Sequence, residues 1–257
     1  MRRPLCVGNR QHGFSLLEML MVVGILGIIS AGILWQMDLA QQRAFTEQVK
    51  VDSLQETRDF VDQFFRDINQ GGYPNSRMVD TSSLSWSPAL AAPLINDSRL
   101  AVGLVKVDAN EVWFEGDVKG DGIVRSVGYK YNGSGACPLC LQRSEVPKVT
   151  GNPATGQLVP NWGTDIDNVD TTSPVFSYFK ADGTQITALP ADLTTAAGAR
   201  TIASIKIVKI SLTVRNNSVV DLKTRQPIET TFEGLVSLNN CSMAASYDSI
   251  NSPMGCR

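Results

Sequence analysis

The stretch that most limits what this chain can become runs from Phe14 to Trp35, an apolar segment in which Glu18 is the only ionisable side chain. At ~1.5 Å of rise per residue, a helix of this length crosses the ~30 Å hydrocarbon core of a bilayer. A secretory signal has a shorter apolar region followed by a small-residue cleavage site. Here a polar leader, Met1–Gly13, comes first, and the apolar run behind it is long enough to span. The leader carries Arg2, Arg3 and Arg10 and no acid. By the positive-inside rule it stays cytoplasmic and the bulk of the chain lies outside. A carboxylate at the bilayer centre costs ~2.5–3.5 kcal/mol even on the lenient insertion scale, and Glu18 lies near one end of the run.

Gly13, Phe14 and Glu18 stand in register ahead of a spanning run, and this pattern resembles the class III signal of type IV pilins and pseudopilins. The resemblance implies a cut between Gly13 and Phe14 by a dedicated prepilin peptidase on the cytoplasmic side. It also implies N-methylation of Phe14 and makes Glu18 the fifth mature residue, where the family carries its Glu. One reading of Glu18 is that it snorkels near the helix end, in which case Gln would serve equally well. The favoured reading pairs it with the freed α-amine of a neighbouring Phe14 when helices bundle into a filament. An unpaired buried carboxylate is costly, so pairing selects the correct axial register. The alternative to a pilin-like chain is a generic single-span anchor.

With 257 residues, 43% hydrophobic and 19% charged, the chain can bury one substantial core besides its membrane helix. The net charge of −2 becomes more acidic once the basic leader is gone, which argues against a nucleic-acid surface. The single histidine, His12, lies in the leader. The mature chain therefore has no Ser-His-Asp or Cys-His arrangement and no imidazole metal ligand, and neither a catalytic residue nor a cofactor is expected. Of five cysteines, Cys6 leaves with the leader, while Cys137, Cys140, Cys241 and Cys256 remain. An even set outside the membrane suggests two disulfides, most simply Cys137–Cys140 and Cys241–Cys256, with other pairings open. Cys137-Pro138-Leu139-Cys140 also admits a reversible dithiol. It follows a hairpin and lacks the strand–motif–helix setting of a redox centre, so a structural clip is favoured.

Along the chain, Asp38 to Asn69 holds neither Pro nor Gly, and its later part places Phe60, Val61, Phe64, Phe65 and Ile68 at helical spacing. Arg58, Asp59, Asp62, Gln63 and Arg66 fall on the other faces, so the helix continues as an amphipathic one. Gly71-Gly72-Tyr73-Pro74 ends it. The sequence predicts one helix from about Leu16 to Asn69. Many major pilins carry a Pro where this chain has Trp35, which leaves no reason for a break there. Phe65 to Pro74 resembles the helix-end signature of the subunit group called J in type II secretion and W in type IV pili.

Tyr73–Ser98 reads mostly as loop. Strands are expected at Arg99–Asp108, Asn110–Glu115 and Ile123–Tyr131, with a turn at 116–122. Asp117 and Asp121, spaced ahead of Gly122, resemble the first half of a calcium loop, but Lys119 takes a ligand position and Gly128 stands where the closing Glu belongs. A hairpin turn is the favoured reading. Val146–Pro174 reads as a long surface excursion bearing the acidic residues Asp165, Asp167 and Asp170. Val175–Thr187 carries a hairpin signature at Asp182-Gly183. Ala188–Arg200 is ambiguous. Ile202–Arg215 reads as the strongest strand, with a parity shift that needs a bulge or twist. Asn216-Asn217 reads as a turn and Ile228–Leu238 as a closing strand. The tail between Cys241 and Cys256 would form a loop worth ~3 kcal/mol if bridged.

The expected fold is α+β, a long N-terminal helix on an antiparallel sheet. Its expected parts are a cleaved leader (1–13), a membrane and filament-core helix (14–35), an amphipathic continuation (36–70) and a β-rich head (71–257). The resemblance implies a structural subunit, not an enzyme. It would be a minor pilin or pseudopilin of a bacterial inner membrane, head outside, that primes or enters a pilus-like filament. Its partners would be the prepilin peptidase, other minor and major subunits, the membrane and the assembly platform. A type II secretion pseudopilin is the sister reading, and a membrane-tethered thiol–disulfide protein using Cys137 and Cys140 is the rival of another class.

Overall fold

The computed structural model describes residues 15–75, 78–80, 86–87, 94–95, 97–133, 137–170, 174–220 and 225–240. The chain divides into two units, Met1–Val49 and Lys50–Arg257. Helix α1 (Leu16–Gln70) begins in the first and ends in the second. It runs unbroken through Trp35, where no proline removes a donor from the hydrogen-bond ladder. In the first unit the apolar window of α1 is 0% buried, and this helix is long and apolar enough to cross a membrane. In the second unit its buried face is Thr57, Phe60, Val61, Phe64, Asp67 and Ile68. The helix stops because Gly72 adopts a φ of 81°, a left-handed geometry that suits glycine. The Gly71 amide bonds back to Ile68 O at 3.1 Å and the Gly72 amide reaches Glu115 O at 2.8 Å.

The strands that follow are β1 (Trp86–Ser87), β2 (Leu94–Ile95), β3 (Leu104–Val107), β4 (Glu111–Gly116), β5 (Arg125–Asn132), β6 (Cys140–Pro147) and β7 (Trp162–Ile166). They continue as β8 (Val169–Asp170), β9 (Phe176–Phe179), β10 (Gln185–Ile186) and β11 (Ala191–Asp192). Helix α2 (Ala196–Ser204) then leads into β12 (Ile207–Val220) and β13 (Pro227–Ser237). One sheet has the order β11-β3-β4-β5-β6-β7; a second has β10-β9-β12-β13, with β8 also on β12; β1 and β2 form a two-stranded sheet. All the pairings are antiparallel. The architecture is α+β, as expected.

The phenylalanine stripe of α1 is what joins the two sheets. Phe64 lies 5.2 Å from Tyr129 of β5 and 5.5 Å from Phe176 of β9, ring centre to ring centre, and Phe60 meets Tyr129 edge-on at 5.6 Å. Aromatic pairs at these separations add ~0.5–1.5 kcal/mol beyond burial. Gly234 of β13 leaves room for the Phe65 ring, and any Cβ there would strike it.

Three expectations need correction. The parity shift between Ile205 and Val208 is a helix-to-strand boundary, not a bulge. Ile202 is buried on α2, whose N-cap Thr195 accepts the Gly198 amide at 3.0 Å. Ile205 caps that helix, and the strand proper buries Val208, Ile210, Leu212 and Val214 on one face. Second, Asn216-Asn217 is no turn: β12 continues to Val220, with the register shift falling between Asn216 and Val220. Third, the expected excursion at 146–174 contains β7 and β8. β7 pairs with β6 by its backbone while most of its side chains are exposed, so no apolar pattern announces it.

Glu115 and Lys148 form an ion pair at 2.6 Å with both side chains fully buried. The same ammonium donates to Leu100 O at 2.7 Å, and Glu115 also accepts the Val102 amide at 3.0 Å. The pair thereby fastens the segment before β3 to β4. Removing one member strands a buried charge, which costs roughly 3–5 kcal/mol, whereas replacing both is far milder. Lys148→Met should therefore lower the unfolding free energy by about that amount. Glu115→Gln combined with Lys148→Met should recover much of it, as read by urea denaturation of the three proteins.

Candidate functional site

Gly13 and Phe14 lie outside the described residues, as do Cys241 and Cys256. Glu18 stands in the first turn of α1, exposed, with its amide on Ser15 O at 2.9 Å. A carboxylate suits that end of a helix, where the unpaired amides carry partial positive charge. Around it Leu16, Leu17, Met19, Leu20 and Met21 are all exposed by more than half. A helix apolar on every side has no amphipathic face to bury on a head and requires a non-aqueous or helical surround.

Cys137 and Cys140 are joined by a disulfide at the start of β6, where Leu139 takes a φ of 60°. Asp167 approaches both sulfurs. A sulfur held in an S–S bond is not the thiolate that metal ligation requires. Asp117 and Asp121 do come together, around an arginine. Arg125 places NH2 2.6 Å from Asp121 Oδ2 and NH1 3.8 Å from Asp117 Oδ1. Asp117 in turn caps the turn by accepting the Gly122 amide at 2.8 Å and the Asp121 amide at 3.2 Å. The guanidinium supplies the positive charge between these acids that a cation would supply in a calcium loop.

Arg125 belongs to a longer chain of alternating charges that sequence reading missed. It begins at Asp67 on α1, 1% exposed, whose Oδ2 accepts Tyr129 OH at 2.7 Å and Arg143 Nε at 2.8 Å. Arg143 also reaches Glu145 at 2.8 Å, and Glu145 takes Arg125 at 3.0 Å and Lys119 at 2.6 Å. Tyr129 and Arg143 face each other directly across β5 and β6, so the sheet presents both donors to the helix as a unit. Burial first, then the neighbouring Asp67 carboxylate, pushes the Tyr129 phenol well up, and it remains a donor. One signal in the sequence pointed here: Asp67 sits three residues after Phe64 and seven after Phe60, inside the apolar stripe.

The acidic residue Asp165 lies with Asp52, Glu56 and Asp59 along an open groove of about 500 Å³ beside α1. Burial raises Glu56, helped by the charge of Asp167, and burial likewise raises Asp165. Asp170 pairs instead through β8 with Thr213 of β12.

Burial acts to raise the Glu145 pKa, but the hydrogen bonds from Lys119 and Arg143 outweigh it and leave it below the ordinary 4.5. A carboxyl lowered by folding contributes stability that is complete above its unfolded value and lost as pH falls through the folded one. Melting temperature measured from pH 7 to pH 2 should therefore drop in acid for the wild type. In Glu145→Gln it should start lower at neutral pH and show a shallower acid decline.

Residues 8–34 match the family model described as the prokaryotic N-terminal methylation motif. No curated protein and no solved structure matches the chain. The motif implies processing by a prepilin peptidase and assembly with other pilins, and with the exposed apolar helix it supports a membrane-anchored, pilin-like protein. Over these residues the chain carries the signature of the type IV pilins and pseudopilins.

Proposed function

We propose that this protein is a minor pilin or pseudopilin, a structural subunit that enters or primes a type IV pilus-like filament. The observation that carries the reading is the methylation motif at 8–34, continued by a helix exposed on every side of its apolar window. In this reading the leader 1–13 is removed, residues 14–35 span the inner membrane and later join the filament core, and 36–70 continue the helix. Residues 71–257 form the head outside the membrane. Phe14 becomes the methylated N-terminus, and Glu18 pairs with the Phe14 amine of a neighbour. That pairing is favourable because both charges leave water together and neither is stranded. Partners are the prepilin peptidase, other minor and major subunits and the assembly platform. The J-like and W-like helix end at 65–74 and the bulky head favour an initiating or tip position over bulk polymer. The Cys137–Cys140 bridge serves as a clip at the mouth of β6.

Mass spectrometry of the N-terminus tests the first step. Wild type should begin with N-methyl-phenylalanine at Phe14, and Gly13→Ala should retain the leader; an intact Met1 in wild type would sink the proposal. Glu18→Gln should still be cut and methylated, yet cross-link to neighbouring subunits about tenfold less, the equivalent of ~1.4 kcal/mol. Equal cross-linking would leave Glu18 as a snorkelling residue.

A further inference from the structure

The face of the first sheet opposite Phe114 and Tyr129 holds a groove that the pilin reading does not use. Asp192, Lys106 and Trp113 form its floor, part of one row of successive cross-strand partners that continues through Gly128, Ser144 and Trp162 across all six strands. Because side chains alternate between faces along each strand, directly paired residues share a face. The two small residues in the middle let the two large ones meet. Trp113 and Trp162 approach edge-to-face at 5.3 Å. The Trp113 ring lies so flat over Gly128 that a Cβ there would sit 2.9 Å from three ring carbons.

The indole is held in place chemically as well. Trp113 Nε1 donates to Glu111 at 2.6 Å, and the other Glu111 oxygen takes Lys106 Nζ at 2.7 Å. Asp192 accepts the Thr194 amide at 2.9 Å and also the Thr194 hydroxyl. Above this floor the segment Leu158-Val159-Pro160 forms a wall, enclosing about 470 Å³. That volume falls in the ~300–1,000 Å³ range of small-ligand sites. Val159 is 87% and Leu158 46% exposed, so the rim of the cavity presents apolar surface.

We propose that this groove binds a neutral saccharide, with the apolar face of a pyranose ring on the Trp113 indole and its hydroxyls meeting Lys106, Glu111 and Asp192. The electron-rich indole face attracts the weakly positive C–H groups of such a ring. Lys106 and Glu111 neutralise one another, and Asp192, held by Thr194, leaves the groove a single negative charge that disfavours anionic ligands. What these side chains retain is unused lone pairs and ammonium N–H bonds on a fixed frame. A hydroxyl, donor and acceptor at once, complements both. Preorganisation of the indole by Gly128, Glu111 and Lys106 removes part of the ordering cost of binding. This inference stands independently of the role in a filament.

The test uses the full chain in micelles of a detergent without a sugar headgroup. Neutral tri- and tetrasaccharides of glucose, galactose, mannose and N-acetylglucosamine are titrated while tryptophan emission is followed. At least one series should shift the emission saturably below about 10 mM, a weak but ordinary affinity for so small a ligand. Trp113→Ala should weaken it by about tenfold or more. Val159→Arg, at an exposed rim position that leaves the core untouched, should also weaken it while circular dichroism stays unchanged. Silence from all four series, or binding indifferent to both substitutions, would overturn the proposal. Saturable binding of a proline-rich peptide without any saccharide response would overturn it equally and assign the groove to extended peptides.

Discussion

Asp67 is the only charged residue on the buried face of α1, and the attachment of that helix to its sheets turns on how the charge is neutralised. Burying a carboxylate costs several kcal/mol unless opposite charge and hydrogen bonds replace the lost water. Tyr129 and Arg143 provide both. Arg143 is then a half-buried cation with its own need, met by Glu145, which calls in Arg125 and Lys119. Signs alternate until the chain reaches Asp121 and Lys119 at the surface, where solvent completes the neutralisation. Each link is tolerable only because the next is present. The Asp-Gly turn at 117–122 is thus the outer end of a network that starts on the helix.

The same physical reasoning separates the two stretches of α1. From Leu16 onward the apolar side chains cover every face, and none is buried within the chain itself. Such a surface is stable only in lipid or among other helices. From Thr57 onward the apolar residues collect on one stripe, and the stripe has a partner: Tyr129 on one sheet and Phe176 on the other. A chain built this way satisfies its second stretch by folding and its first only by insertion or assembly.

The first sheet uses its two faces for different ends. Strict alternation along β4, β5 and β6 sends Phe114, Val127 and Tyr129 toward the helix, while Trp113, Gly128 and Ser144 turn to the other side. A one-residue slip would exchange the two sets. The register that lets Tyr129 and Arg143 grip Asp67 is therefore the same register that lays Trp113 over Gly128, and neither face is free to vary alone.

Local patterns carried much of this structure. The spanning run, Glu18, the helix from Leu16 to its glycine stop and the Val175–Thr187 hairpin follow from composition, periodicity and turn chemistry within a few residues of each position. So does the Cys137–Cys140 disulfide, since three residues of separation leave it little choice but proximity. What the local pattern could not supply was long-range pairing. β7 is a strand because β6 offers it a hydrogen-bonding edge, though its exposed Gly163-Thr164-Asp165 has no strand signal of its own. Ile202 and Ile205 read as strand until the fold draws them into α2 and its cap. Asp67, Arg143 and Glu145 look like ordinary surface charges when read in order, because the contacts that bury them join residues 76 positions apart. The sequence by itself determined which stretch is long and apolar enough to cross a membrane, since a run of apolar side chains needs no partner within the chain to express its preference. Only the tertiary structure decided how the head grips its helix and where its grooves lie, because those depend on strand register, which is settled by the whole sheet at once.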